Sequence, residues 1–144
     1  MYRFRKWKKI SIYILIIGLL GIFIGYKVYH KPHINVAEKS IDITITANIL
    51  LADFSSDETK ANTKYLDKII AVKGMVTNIE FNGEKAAISL HTKDDFGSVV
   101  CYLVKDEFKK SAEIKEGQEV VLKGICTGFL MDVILVKCVI MNSK

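Results

Sequence analysis

The chain has 144 residues, 21 Lys and Arg against 16 Asp and Glu, a net charge of +5 and a pI near 9.0. It has room for one domain and an anchor, and its basicity first suggests a polyanion or a membrane surface as partner. Seven of the basic residues and no acid precede Pro32, however, leaving 14 basic residues against 16 acidic ones, about −2 net, for everything that follows. A polyanion needs a positive field to release its counterions, so the charge of the folded part argues against nucleic acid.

The N-terminus packs five positive charges into nine residues (Arg3, Arg5, Lys6, Lys8, Lys9) ahead of the apolar run Ile10 to Val28, in which Lys27 is the single charge. At 1.5 Å per residue, a helix over residues 10–28 reaches roughly 28 Å, close to the hydrocarbon thickness of a bilayer. Trp7, Tyr13, Tyr26 and Tyr29 lie near its ends, where amphipathic rings favour headgroups, and the basic flank keeps the N-terminus cytoplasmic. A cleaved signal peptide shares this pattern, but no small-x-small site follows the apolar run. The expectation is residues 1–31 as basic tail and uncleaved transmembrane anchor, with the lipid bilayer as partner through 10–28. The C-terminal part is then extracytoplasmic.

Residues 32–43 are polar, lack periodicity and contain the only proline, which reads as a linker. From Thr44 the apolar spacing becomes helical, with Thr46 as a cap, and Ser55 to Asp57 interrupt it before a second helical stretch from Glu58 to about Lys64. The periodicity then changes to two. Lys68 to Ile79 alternates so that Ile70, Val72, Gly74 and Val76 share a face, and Asn82-Gly83 signals a hairpin into Lys85 to His91, with Ala86, Ile88 and Leu90 inward. Thr92 to Gly97 reads as a turn, Ser98 to Val104 as a strand, and Asp106 to Ala112 as a short helix capped by Asp106. Glu119 to Thr127 and Asp132 to Met141 complete the pattern as an antiparallel pair around Gly128 to Met131.

Three strands, a helix and two strands is the connectivity of the OB-fold, a five-stranded Greek-key barrel. The expected fold class is therefore mainly β, with one or two short helices ahead of the barrel, which fills residues 44–144. An internal echo fits this: AVKGMV in the first strand recurs as VLKGIC in the fourth, each with a glycine where a small barrel must bend.

With these residues in place, the chain from about Thr46 to Met141 resembles the tRNA anti-like OB-fold family of exported or membrane-anchored, mostly bacterial proteins. The resemblance is carried by Ala61-Asn62-Thr63-Lys64-Tyr65, by IIAVKGMVTNI, by Val99-Val100-Cys101 and above all by EGQEVVLKGICTGFLMDVILVKCVI. It implies the fold and leaves the activity open. Many members resemble lipoproteins; this sequence departs in having an apolar helix without a lipid-accepting cysteine.

Cys126 and Cys138 face each other in a hairpin symmetric about Asp132, so they are candidates for a disulfide in an exported domain; buried free thiols are the other reading. Cys101 then falls on the Val99, Cys101, Leu103 core face. No C-x-x-C or C-x-x-H spacing points to a metal. His30 and His33 read as linker residues and His91 as a strand end. Asp94-Asp95 lie in a turn and Asp106-Glu107 at a helix start, ordinary places for acids. No phosphate loop or nucleophile elbow is present, so neither a cofactor nor an enzymatic activity is expected.

OB folds bind oligomeric ligands on the second and third strands and the flanking loops. The candidate surface is Tyr102, Phe81, Phe96, Phe129 and Asp132, recognising an envelope protein, a peptide or a glycan. The alternative, single-stranded nucleic acid, needs aromatics interleaved with basic residues on that face. Three aromatics with Lys73, Lys85 and Lys93 make a sparse platform for it.

Overall fold

The structure is a computed structural model that describes residues 16–22, 35–93 and 97–143, and the chain divides into two units, Met1–Ile34 and Asn35–Lys144. In the first unit residues 16–22 are helical, with Ile16, Ile17, Leu19, Leu20 and Ile22 exposed. The remainder of the expected span 10–28 lies outside the described residues, among which no helix is long and apolar enough to cross a membrane.

The second unit begins earlier than the sequence pattern suggests. Ile43–Thr46 is not helix but a strand, β1, with alternating burial and a parallel pairing onto the barrel, Ile43 opposite Ile70 and Thr46 opposite Lys73. Ile43 and Ile45 pack against the core. The i, i+2 spacing of those two isoleucines, with threonines between, is the strand period, in a run of only four residues. Helix α1 (Ala47–Ser56) then starts with Thr46 as cap, its hydroxyl accepting from the Ile49 amide at 3.4 Å. Asp57 caps α2 (Glu58–Tyr65) by accepting from the Lys60 amide at 3.0 Å.

The two helices are held together by a buried aromatic and its polar end. Phe54 and Tyr65 are both within 1% of full burial, with ring centroids 5.8 Å apart, each contributing roughly 1.5–3 kcal/mol by leaving water. The Tyr65 hydroxyl cannot be buried unpaired without cost. It donates to Asp53 Oδ2 at 2.5 Å, and Lys64 Nζ reaches the same oxygen at 3.1 Å.

The barrel itself is made of β2 (Ile69–Asn82), β3 (Lys85–Leu90), β4 (Val99–Leu103), β5 (Glu119–Phe129) and β6 (Val133–Ser143), in the order β2-β3-β4-β6-β5 and closed by β2 pairing back on β5. All pairs are antiparallel except β4 with β6. β2 serves two neighbours by changing partner along its length: Ile69–Met75 pairs with β5 and Val76–Asn82 with β3, with a register shift at the changeover. Gly74 sits there for a steric reason. A Cβ on it would lie 3.1 Å from Ala47 Cβ and 3.2 Å from Leu90 Cβ, so the bare backbone lets the start of α1 seat against the strand.

The inward faces read from alternation hold: Ile70, Val72, Val76, Ile88, Leu90, Val99 and Cys101 are all buried. Between β4 and β5 the chain forms a 3-10 turn (Lys105–Glu107) and a single helical turn, α3 (Phe108–Ser111). Asp106 makes no capping bond. Glu107 takes the polar role instead, only 7% exposed, accepting from Lys110 Nζ at 2.8 Å and from the Ile140 amide at 3.2 Å. The segment before β1 lies on the barrel: Val36 is buried, and Lys123, 5% exposed, donates its ammonium to the carbonyls of Ala37 (3.1 Å) and Lys39 (2.5 Å).

The Cys126 to Cys138 pairing requires correction. Register shifts in the β5–β6 hairpin set Cys126 opposite Leu135, while Cys138 comes to lie beside Gly124. All three cysteines are free, buried thiols. The cause is a turn centred before Asp132 together with bulges that add residues unequally to the two strands.

The Tyr65 hydroxyl, more than any other group, holds the Asp53 carboxyl below its usual 3.8, with Lys64 assisting. A carboxylate depressed in the folded state stabilises the fold above its unfolded pKa and loses that contribution as pH falls through the folded value. Tyr65→Phe is therefore expected to cost about 1 kcal/mol at neutral pH, discounted because the Asp53 side chain is partly exposed. Urea unfolding of both proteins at neutral pH and well below 3.8 checks this; a gap that does not narrow in acid contradicts it.

Candidate binding face

Partners across a β-ladder point to the same side of the sheet, so the register sorts the candidate residues. Tyr102 pairs with Ala87, and Val100 pairs with both Ser89 and Ile134. These residues alternate with the buried Ile88, Cys101 and Leu135, so they face outward. Val100 and Ile134 are half-buried and Tyr102 is 49% exposed. The outer surface of β3, β4 and β6 is thus an apolar row with one phenol at its edge. Tyr102 opens on a cleft of about 410 Å³ lined by Asn82, Glu84, Lys85, Ala86, Leu103 and Lys105. Lys105 is ion-paired with Glu84 there, which cancels much of the positive charge.

The two phenylalanines do not join Tyr102. Phe81 pairs with the inward Ala86 and meets Phe108 edge-on at 5.6 Å, covering the end of the barrel where β4 finishes. Phe129 pairs with the fully buried Val133 at the opposite end and stacks on Phe54 at 5.9 Å. Its ring also forms one wall of a cleft of about 610 Å³ with Leu51, Ser55, Glu58, Gly97, Leu130 and Met131. Phe96 lies outside the described residues.

Asp132 is occupied structurally. Its Oδ1 accepts from the Ser98 amide at 2.7 Å and from the Ser98 hydroxyl at 2.8 Å, and its carbonyl accepts from the Leu130 amide at 3.1 Å. One carboxylate therefore ties the β5–β6 turn to the start of β4. The turn it secures presents two residues that the sequence reading passed over: Leu130 is 85% exposed and Met131 74%, with Met131 held at φ +118°. Their signal was available, since a hairpin tip is normally polar and this one reads Phe-Leu-Met. Among the described residues no group of three or more His, Cys, Asp or Glu is placed to hold a metal.

A closed five-stranded barrel with these strand pairings, covered at one end by helices, is an OB-fold domain. The chain belongs to the tRNA_anti-like family, whose profile matches residues 1–140. It is similar in structure to a lipoprotein of Klebsiella pneumoniae described as a candidate nucleic acid-binding protein, at 16% identity over 67% of this chain and 91% of the other, with a TM-score of 0.57. It is also similar to an OBody bound to hen egg-white lysozyme (19% identity, 55% and 86% covered, TM-score 0.44) and to the Stn1–Ten1 complex of S. pombe (16%, 51% and 58%, TM-score 0.41). A comparison with curated protein sequences returns no match.

Replacing Asp132 with Ala leaves two Ser98 donors without their partly buried charged acceptor, a loss of about 1–3 kcal/mol. Tyr102→Ala, at an exposed outward position, is expected to stay within about 0.5 kcal/mol of the parent. Denaturant midpoints for the two variants check the contrast; equal midpoints contradict it.

Proposed function

We propose that this protein is a non-enzymatic binding module, tethered to a membrane by residues 10–28 with its OB-fold domain on the extracytoplasmic side, and that it recognises a partner polypeptide. The observation that carries the polypeptide reading is the pair Leu130 and Met131. Two large apolar side chains, 85% and 74% exposed, stand beside a cleft walled by Leu51 and Phe129. Contiguous exposed apolar surface of this kind favours an apolar partner over a phosphate-rich one. The outer row Val100, Tyr102 and Ile134 extends the same chemistry, and the near-neutral charge after Pro32 agrees with it. The tether is supported by the apolar run and its basic flank.

A second reading, single-stranded nucleic acid, draws on Tyr102 beside Lys85 and Lys105 in one cleft, where a base could stack on the phenol. Both readings meet in one experiment. The full chain in detergent, immobilised and washed with proteins extracted from the envelope, is expected to retain a species that Leu130→Asp with Met131→Asp no longer retains. The same chain is expected to leave the anisotropy of a fluorescent oligothymidine unchanged at low salt. Salt-dependent oligonucleotide binding that Tyr102→Ala abolishes, with equal protein retention by parent and variant, establishes the second reading and removes the first. A reporter enzyme active only outside the cytoplasm, fused after Lys144, is expected to be active; an inactive fusion contradicts the topology.

A further inference from the structure

One row of residues on the outside of the barrel is buried. Ala71, Lys123 and Val139 are partners across β2, β5 and β6. Their chain neighbours Ile70, Val72, Leu122 and Cys138 fill the interior, so the row faces outward. All three are nonetheless buried, as is Val36, and neither Val36, Ala71 nor Val139 belongs to the core cluster inside the barrel. The bonds of Lys123 identify the cover: its ammonium donates to the carbonyls of Ala37 at 3.1 Å and Lys39 at 2.5 Å. The covering segment is folded on itself, with the Glu38 amide donating to the Asn35 carbonyl at 3.3 Å and Asn35 Nδ2 to Glu38 Oε1 at 2.8 Å.

The cover ends where the barrel takes hold of the chain. Asp42 is joined to Ile69 twice, its amide donating to the Ile69 carbonyl at 2.9 Å and its Oδ2 accepting from the Ile69 amide at 2.8 Å. The core cluster and the side chains packed on it begin at Ile43. Everything from Asp42 onward is therefore held without the cover. Within residues 35–40 Val36 alone is buried. Among the described residues, Lys123 is given two neutral carbonyls and no carboxylate. Lifting the segment returns this ammonium to water and recovers the cost of burying it.

The carbonyl of Lys39 gives such an opening a chemical consequence. It belongs to the Lys39–Ser40 peptide bond, and the Lys39 side chain is exposed. A serine protease that cleaves after lysine must take that same oxygen into its oxyanion hole, and in the closed segment Lys123 holds it. We propose that residues 35–39 form a latch that opens while the barrel stays folded, and that the open latch is the state in which a protease of this class cuts between Lys39 and Ser40. Overall, water is added across that amide, leaving a carboxylate on Lys39 and an amino group on Ser40. The products are residues 1–39 and the folded domain from Ser40 onward. On the tether reading proposed above the cut frees the domain from the bilayer; the latch itself is measured without that reading.

The full chain in detergent is treated with trypsin, and mass spectrometry follows the cut after Lys39 beside cuts after Lys73 and Lys85, which lie within β2 and β3. Two variants open the latch from opposite sides. Lys123→Glu sets a carboxylate against two carbonyls and becomes hydrated once the segment lifts. Val36→Ser removes the buried apolar side chain of the segment and changes no barrel residue. Cleavage follows the open population when opening and closing are fast, so both variants are expected to speed the cut after Lys39 about tenfold or more, with those after Lys73 and Lys85 unchanged. Equal rates at Lys39 in parent and variants overturn the proposal. So does a gain at Lys39 that comes only with gains at Lys73 and Lys85, because the segment then opens with the barrel. Should Lys123→Glu fail to fold, Val36→Ser decides by the same two criteria. With the chain in phosphatidylcholine vesicles, the fragment from Ser40 is expected in the supernatant and the uncut chain in the pellet; uncut chain in the supernatant contradicts the tether and leaves the latch standing.

Discussion

The structure depends on one strand being shared. The fourteen residues of β2 hydrogen-bond to β5 along the first half and to β3 along the second, and β1 adds a parallel pairing beside the start. An open sheet would leave the edges of β2 and β5 exposed; closing it satisfies both. The changeover near Gly74 and Val76 also fixes where α1 can lie, because helix and strand meet with only a glycine hydrogen between them.

Closure then decides what the remaining surface can do. Phe54, Tyr65 and Phe129 cover one end of the cylinder, and Phe81 with Phe108 covers the other. Lys123 and its two backbone acceptors fasten the segment from Ala37 to Lys39 on the barrel. Among the described residues, apolar chemistry faces solvent on the outward row of β3, β4 and β6 and at the β5–β6 tip that Asp132 holds in place, besides single exposed side chains such as Ile49, Met75 and Phe81. Binding on an OB domain commonly uses a sheet face and its flanking loops, and here the two share β6.

Strand identity was legible because alternation survives inside each strand: Ile70, Val72 and Val76, or Ala86, Ile88 and Leu90, need only a period of two. The helix caps Thr46 and Asp57 were legible for a similarly local reason. Register was not. The bulges at Lys137 and along β5 arise from tertiary demands, such as keeping a lysine out of the core, that a sum of residue numbers cannot contain, and so the facing of Cys126 and Cys138 was misread. The candidate aromatics divided for the same reason: Phe81, half exposed, pairs with Ala86 and lies against Phe108 at one end of the barrel, while Phe129 stacks on Phe54 at the other. β1 escaped notice because its four residues carry only two apolar positions of the strand period and find their partner in the distant β2. Leu130 and Met131 stand in the Gly128 to Met131 turn, where large apolar side chains are the unusual choice.

The central claim is that β2 closes the cylinder on β5. Backbone amide NOEs in an isotopically labelled sample of the full chain in detergent micelles test it most directly. Cross-strand contacts are expected between Val72 and Leu122 and between Ile70 and Gly124, together with those joining Glu80 to Ala87. Contacts from β2 to β3 with none from β2 to β5 would mean an open sheet and would contradict the account.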